Sequence, residues 1–149
     1  MATKKPVPPT YFFIFLILSL AAHLVYAESK FIFMPWNLSG ILLLFFGTYL
    51  NLAADKAFKK AGTTVKPFEE SSELITDGVF RLSRNPMYLG MAAILLGVAL
   101  LLGSLLPFVI TILFLPVIDH RFIRTEEQML ADKFGAEWEA YKKAVRRWI

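Results

Sequence analysis

Residues 85–118 read NPMYLGMAAILLGVALLLGSLLPFVITILFLPVI and contain no charged side chain. At ~1.5 Å of rise per residue, the run is too long for one membrane crossing and shorter than two full crossings of ~20 residues. Gly103, Ser104 and Pro107 stand near its middle, the composition of a tight turn between two helices. The run is therefore read as a helical hairpin, with spans at about 87–103 and 105–120.

Two further charge-free runs lie upstream, from Pro6 to Ala27 and from Phe31 to Ala54, and each can cover one crossing. They predict spans at about 10–27 and 38–54. With 56% hydrophobic and 19% charged residues, the 149-residue chain is too apolar for an ordinary soluble fold of its size. The expected architecture is a single all-α integral membrane domain with about four transmembrane helices, a C-terminal hairpin and a polar C-terminal segment.

Topology follows from the basic residues, because Lys and Arg bias flanking loops toward the cytoplasm. All but one of the sixteen fall on one side: Lys4 and Lys5, the group from Lys56 to Arg84, and the group from Arg121 onward. Only Lys30 falls on the other side. Both termini and the loop 55–85 are thus expected in the cytoplasm, with the chain in the inner, cytoplasmic membrane. The net charge of +4 suits anionic headgroups, and no nucleic-acid-binding motif accompanies it. Lys4, Lys5 and Val25-Tyr26-Ala27 resemble a cleavable signal peptide, but the apolar stretch is long enough to span and is expected to remain as a helix. Without cysteine, thiol catalysis, disulfides and cysteine-ligated metals are excluded.

Gly40, Gly47, Gly90, Ala93 and Gly97 place small residues where helices can approach closely. For His23 and Asn51, polar groups inside apolar runs, an interhelical hydrogen bond is preferred over a functional role. The loop 55–85 is long and therefore expected to be functional. Leu130, Phe134, Trp138, Tyr141, Val145 and Trp148 recur every three or four residues, predicting an amphipathic helix over 121–147, kinked or divided at Gly135. Periodicity alone favours an aromatic face resting on headgroups over a wall or lid above a site.

Two polar clusters flank the hairpin: Arg81, Arg84, Asn85 and Tyr88, then Asp119, His120, Arg121, Arg124, Glu126 and Glu127, joined later by Arg146 and Arg147. If the arms pack antiparallel, these clusters share one pocket. Arg there could hold a carboxylate, Glu an ammonium or ribose hydroxyls, and Tyr a cationic centre. On the residues alone, interfacial salt bridges and snorkelling arginines are preferred. No metal site is expected, since His23 and His120 lie near opposite faces and no ligand spacing is diagnostic.

The segment Gly78-Val79-Phe80-Arg81-Leu82-Ser83-Arg84-Asn85-Pro86-Met87-Tyr88-Leu89-Gly90 resembles the first signature block of the isoprenylcysteine carboxyl methyltransferase and phospholipid methyltransferase superfamily. Glu126-Glu127, Leu130, Phe134-Gly135, Trp138, Tyr141 and Val145-x-Arg147-Trp148 resemble its C-terminal block, so the likeness covers Thr63 to Ile149. The resemblance implies methyl transfer from S-adenosylmethionine to a lipid-borne or hydrophobic acceptor entering from the bilayer. It implies that Asn85, Tyr88, Leu89, Glu126 and Glu127 bind the cofactor, and that Arg84, Glu127 and Arg147 form the catalytic set, the arginines shaping the pocket or orienting substrate. The stretch Gly62 to Pro67 would add loop contacts. Asn85 stands where prenylcysteine enzymes often carry His, and Trp138 where Tyr is commoner. A carboxylate acceptor needs no base; an amine needs Glu126, Glu127 or a water held by them. The competing readings are a nicotinamide-dependent membrane reductase and a non-enzymatic membrane scaffold. Transport is disfavoured because Asp55 and Asp119 fall at span ends.

Overall fold

The computed structural model of the chain describes residues 7–26, 30–63 and 71–149. Lys4, Lys5, Ala27, Lys66 and most of the stretch from Gly62 to Pro67 lie outside these residues. The described chain is all-helical, with no β-strand among the described residues. Helix α1, Pro8–Val25, opens on Pro8 and Pro9, whose missing N–H groups fall in the first turn, where none would be paired. A 3-10 turn, Trp36–Ser39, leads into α2, Gly40–Ala61. The helix outlasts the apolar run: Asp55 and Lys59 pair at 2.6 Å across one turn, and Lys59 and Lys60 face the negative end of the helix dipole. The charges at 55–60 end the apolar stretch without ending the helix, so the loop predicted to start at 55 begins after Ala61.

Helices α3, Pro86–Leu102, and α4, Leu105–Ile118, form the predicted hairpin. Its turn is confined to Gly103 and Ser104; Gly103 sits at φ 69°, which glycine adopts without steric cost, and Pro107 belongs to the first turns of α4. A π-helical turn, Asp119–Ile123, carries α4 into α5, Arg124–Phe134. Gly135, at φ 50° and ψ −115°, then separates α5 from α6, Ala136–Ala144. The segment predicted over 121–147 is therefore two helices followed by an extended tail from Val145. Pro8–Val25, Trp36–Ala61 and Leu105–Phe134 are long and apolar enough to cross a membrane; α3 is apolar but shorter, at 17 residues.

Helix α3 is the centre of the bundle, with α2 on one side and α4 and α1 on the other. Glycines decide the α2–α3 contact. A Cβ at Gly97 would lie 2.7 Å from the carbonyl oxygen of Gly40, and one at Gly90 2.7 Å from that of Gly47. In lipid, where apolar side chains gain little by leaving the solvent, such close backbone approach is a main source of helix association. Asn51 donates to the carbonyl of Gly47 in its own helix at 2.8 Å, instead of bonding across helices. The Asn51 amide sits against Gly90 of α3, where a Cβ would meet it. His23 does bond across: its Nδ1 lies 2.7 Å from Ser104 Oγ, tying α1 to the hairpin turn. The N–H groups of Phe31 and Ile32 donate to Gly103, and Asn37 Nδ2 donates to the Leu101 carbonyl, closing that end of the bundle.

Tyr88, Met91, Leu95, Phe114, Ile118, Phe122 and Ile123 form one apolar core, covered by Tyr11, Phe15 and Trp148. Ala54, Phe80, Trp138 and Tyr141 form a second at the charged end. Outward-facing Ile17, Leu42, Phe45 and Ile112 are exposed, an apolar belt suited to lipid.

Candidate active site at the charged end of the bundle

The short hairpin brings the chain before α3 against the chain after α4, and the C-terminal tail crosses both. The N–H of Arg84 donates to the carbonyl of Arg146 at 3.0 Å. The carbonyl of Arg147 accepts from Ser83 Oγ at 3.0 Å and from Asn85 Nδ2 at 3.2 Å. Tyr141 supports this arrangement from below, its hydroxyl donating to the Phe80 carbonyl at 2.6 Å in a buried contact. Burial pushes the Tyr141 phenol up to about 12, against the pull of the Arg84 charge.

Adjacent positions on a helix point about 100° apart. On α5 this gives Glu126 and Glu127 different surroundings. Glu127 is buried among cations: Arg84 donates to Oε1 through Nε at 3.2 Å and Nη2 at 2.9 Å, while Arg147 donates through Nε at 3.3 Å and to Oε2 through Nη2 at 2.6 Å. Arg84 is held firmly: its Nη1 donates to the carbonyls of Lys142 and Val145, its side chain is 7% exposed, and its guanidinium lies over the Trp138 ring. Arg147 also donates to Asp119 at 3.0 Å, and Asp119 accepts from Arg124 at 2.9 Å. Hydrogen bonding to Glu127 raises the pKa of Arg147 against its desolvation, helped by the charges of Glu127 and Asp119 and the Asp119 hydrogen bond.

Glu126 has no cationic partner among the described residues. Its one side-chain hydrogen bond among the described residues comes from the Tyr88 hydroxyl at 2.7 Å. Burial holds its carboxyl above the usual carboxylate range, and the Tyr88 hydrogen bond works against that shift. Tyr88 is steadied by Phe122, which packs edge-on against Tyr11 of α1.

These groups line a cavity of about 740 Å³. Its polar wall carries Arg84, Asn85, Tyr88, Glu126 and Glu127; its apolar wall carries Phe58, Met87, Met91, Leu130, Trp138 and Tyr141; Glu73, Asp132 and Lys133 also border it. Five of the predicted site residues therefore meet. Leu89 does not: it is buried in α3 and does not line the cavity, because the face carrying Met87, Tyr88 and Met91 is the one turned inward. Arg147 reaches Glu127 from the other side and lines a smaller polar recess with Arg124, Gln128 and Lys142. Arg81, His120, Arg121 and Arg146 are exposed, as snorkelling residues would be. Trp138 and Tyr141 are buried walls of the cavity, which corrects the expectation of an aromatic face resting on headgroups. The first core holds the tail end in place through Trp148, so α6 is pinned against the bundle. Periodicity missed Val7, Pro8 and Pro9, which reach the cavity from α1, and no local signal marks them.

The cavity's size is that of a small-molecule site. A carboxylate with no cationic partner among the described residues, an aromatic hydroxyl and flexible methionine side chains suit a cationic group beside an apolar chain. Fold and site together define a helical membrane protein with a cavity at the charged end of the bundle, bordered by two adjacent glutamates in different surroundings. The chain belongs to the phospholipid methyltransferase family, whose model matches residues 36–137. It is 35% identical over 124 residues to the protein-S-isoprenylcysteine O-methyltransferase of Schizosaccharomyces pombe, covering 78% of this chain and 50% of that protein. It is 37% identical over 108 residues to the enzyme of the same name from Saccharomyces cerevisiae, covering 71% of this chain and 45% of that one. An uncharacterized protein of Haemophilus influenzae is matched over its whole length, 63 residues at 44% identity and 42% of this chain. The chain spans about half the length of the two isoprenylcysteine methyltransferases.

Proposed function

We propose that this chain transfers a methyl group from S-adenosylmethionine to a lipid-borne or hydrophobic acceptor at the cytoplasmic face of the membrane. The acceptor is a phospholipid amine or an isoprenylcysteine-like carboxylate. The observation that carries the reading is the joining, in one cavity, of the Tyr88–Glu126 pair with a wall of apolar side chains in a bundle fit for lipid. When bound, S-adenosylmethionine supplies an electrophilic methyl carbon on a sulfonium. Tyr88, Glu126 and Asn85 would hold its polar and charged groups, and Trp138, Met87 and Met91 would exclude water from the reacting atoms. Glu127, Arg84 and Arg147 act as positioning residues: the two guanidinium groups hold Glu127 and lock the tail against the segment 83–85. Four crossings are proposed, with α3 as a short central one shielded by its neighbours. The excess of Lys and Arg at the cavity end supports a cytoplasmic location for that end. Family membership weighs against the nicotinamide reductase and the scaffold.

Calorimetric titration of S-adenosylmethionine and S-adenosylhomocysteine into the detergent-purified protein tests the reading. Saturable binding, weakened in Tyr88→Phe and Glu126→Gln variants that keep the parent's thermal unfolding, is expected. A folded protein that binds neither compound, in detergent or in nanodiscs, would sink the proposal.

A further inference from the structure

We infer that the small polar recess behind the cavity binds the phosphate of an anionic phospholipid headgroup. The inference stands apart from the methyl-transfer reading and does not depend on it. The recess, about 210 Å³, lies where α5, α6 and the C-terminal tail meet. Each of these three segments supplies one cation to its wall: Arg124 from α5, Lys142 from α6 and Arg147 from the tail. Ala131, whose side chain is a single methyl group, and the Trp138 ring also line it, leaving room for a phosphate group. A phosphate is tetrahedral and accepts hydrogen bonds on several oxygens, so donors arriving from three directions suit it, arginines above all.

The charges around the recess are unequal. Glu127 is on its wall, but Arg84 and Arg147 already share that carboxylate. Arg124 and Arg147 bracket Asp119 at 2.9 and 3.0 Å, and Lys142 stands 3.4 Å from Glu139. Among the described residues this network holds four cations and three carboxylates, and the charge left over is the counterpart of one phosphodiester. Arg124 and Lys142 have the most exposed side chains of the four cations, at 63% and 48%, so a ligand reaches them without opening the Glu127 ion pairs. Depth points to lipid as the source of the phosphate. The charge-free run ends at Ile118, and Arg124 follows roughly 9 Å further along the helix. Its bond to Asp119, five residues back, draws the guanidinium toward the membrane, into the layer of roughly 5–7 Å that headgroups occupy beyond the hydrocarbon. Glu127 and Trp138 border both the recess and the cavity, so a headgroup bridging α5, α6 and the tail braces the cavity wall from behind.

Thermal unfolding of the full chain in a nonionic detergent tests this, with dioctanoyl phosphatidylglycerol and dioctanoyl phosphatidylcholine titrated separately at fixed ionic strength. Phosphatidylglycerol is expected to raise the unfolding temperature saturably, and at lower concentration than phosphatidylcholine. Arg124→Gln and Lys142→Gln should each raise the half-saturating concentration about fivefold, the worth of one basic residue beside an anionic lipid. Lys143→Gln removes the same charge from the exposed neighbour of Lys142 and should leave that concentration unchanged. Each variant is compared with itself in the absence of lipid, so a general loss of stability does not imitate loss of the site. No shift with phosphatidylglycerol, equal shifts with the two lipids, or equal weakening by Lys143→Gln overturns the inference. Sodium phosphate that protects as well as phosphatidylglycerol at the same concentration overturns the lipid source. No methyl donor is present, so the outcome holds whether or not the protein transfers methyl groups.

Discussion

Glu127 lies between Arg84 and Arg147, its Oε1 2.9 Å from Nη2 of the first and its Oε2 2.6 Å from Nη2 of the second. The three residues come from the start of the hairpin, the helix after it and the tail, so one carboxylate joins three segments that lie far apart in sequence. Removing one member of a buried ion pair leaves an uncompensated charge, which costs about 3–5 kcal/mol. Glu127→Ala is therefore expected to lower the thermal unfolding temperature in detergent sharply. Little change would mean that the tail is held without this carboxylate.

The two arginines should not be equivalent. Arg84 is 7% exposed and has four described hydrogen bonds, whereas Arg147 is 36% exposed. Arg84→Lys cannot reproduce the fork that reaches Glu127 and two carbonyls together. It is expected to destabilise more than Arg147→Lys, by roughly 1.5–3 kcal/mol, the scale of one lost hydrogen bond to a charged group. Chemical unfolding of both variants, compared with the parent, gives the order.

Closer to the middle of the bundle, Gly90→Val places branched carbons where the Gly47 carbonyl and the Asn51 amide already sit. No rotamer relieves a clash with backbone, so α2 and α3 must separate. Loss of the monodisperse peak in size-exclusion chromatography is expected for Gly90→Val. The exposed Leu42→Val on α2 should elute like the parent.

A pH effect follows from Tyr141, whose phenol is raised from 10.0 to about 12 by burial. Between those values the unfolded phenol has lost its proton and the folded one keeps it, so unfolding releases a proton and becomes easier as pH rises. The contribution is complete below pH 10.0 and fades through about pH 12. Tyr141→Phe removes the hydrogen bond to Phe80, costing about 1 kcal/mol near neutrality. It should also give a shallower fall in unfolding temperature across the alkaline window. Parallel curves for parent and variant would count against a buried neutral phenol.

The apolar runs, the hairpin and the gathering of charge at its two ends were legible in the sequence, because hydropathy, helix rise and the α-helical period are local properties of the chain. So was the meeting of Arg84, Asn85 and Tyr88 with Glu126 and Glu127, since a two-residue turn leaves antiparallel arms little freedom. Helix ends were less legible: hydropathy marks where a chain stops being apolar, while Lys59 and Lys60 prolong α2 by favouring its C-terminal dipole. The bonding of Asn51 within α2 and the inward face of Trp138 and Tyr141 also depended on neighbours remote in sequence. Tertiary structure alone separated the two adjacent glutamates, one neutralised by Arg84 and Arg147 and the other left facing the cavity with Tyr88. Their residue type is identical; what differs is a rotation of about 100° on the helix and the cations waiting at one of the two directions.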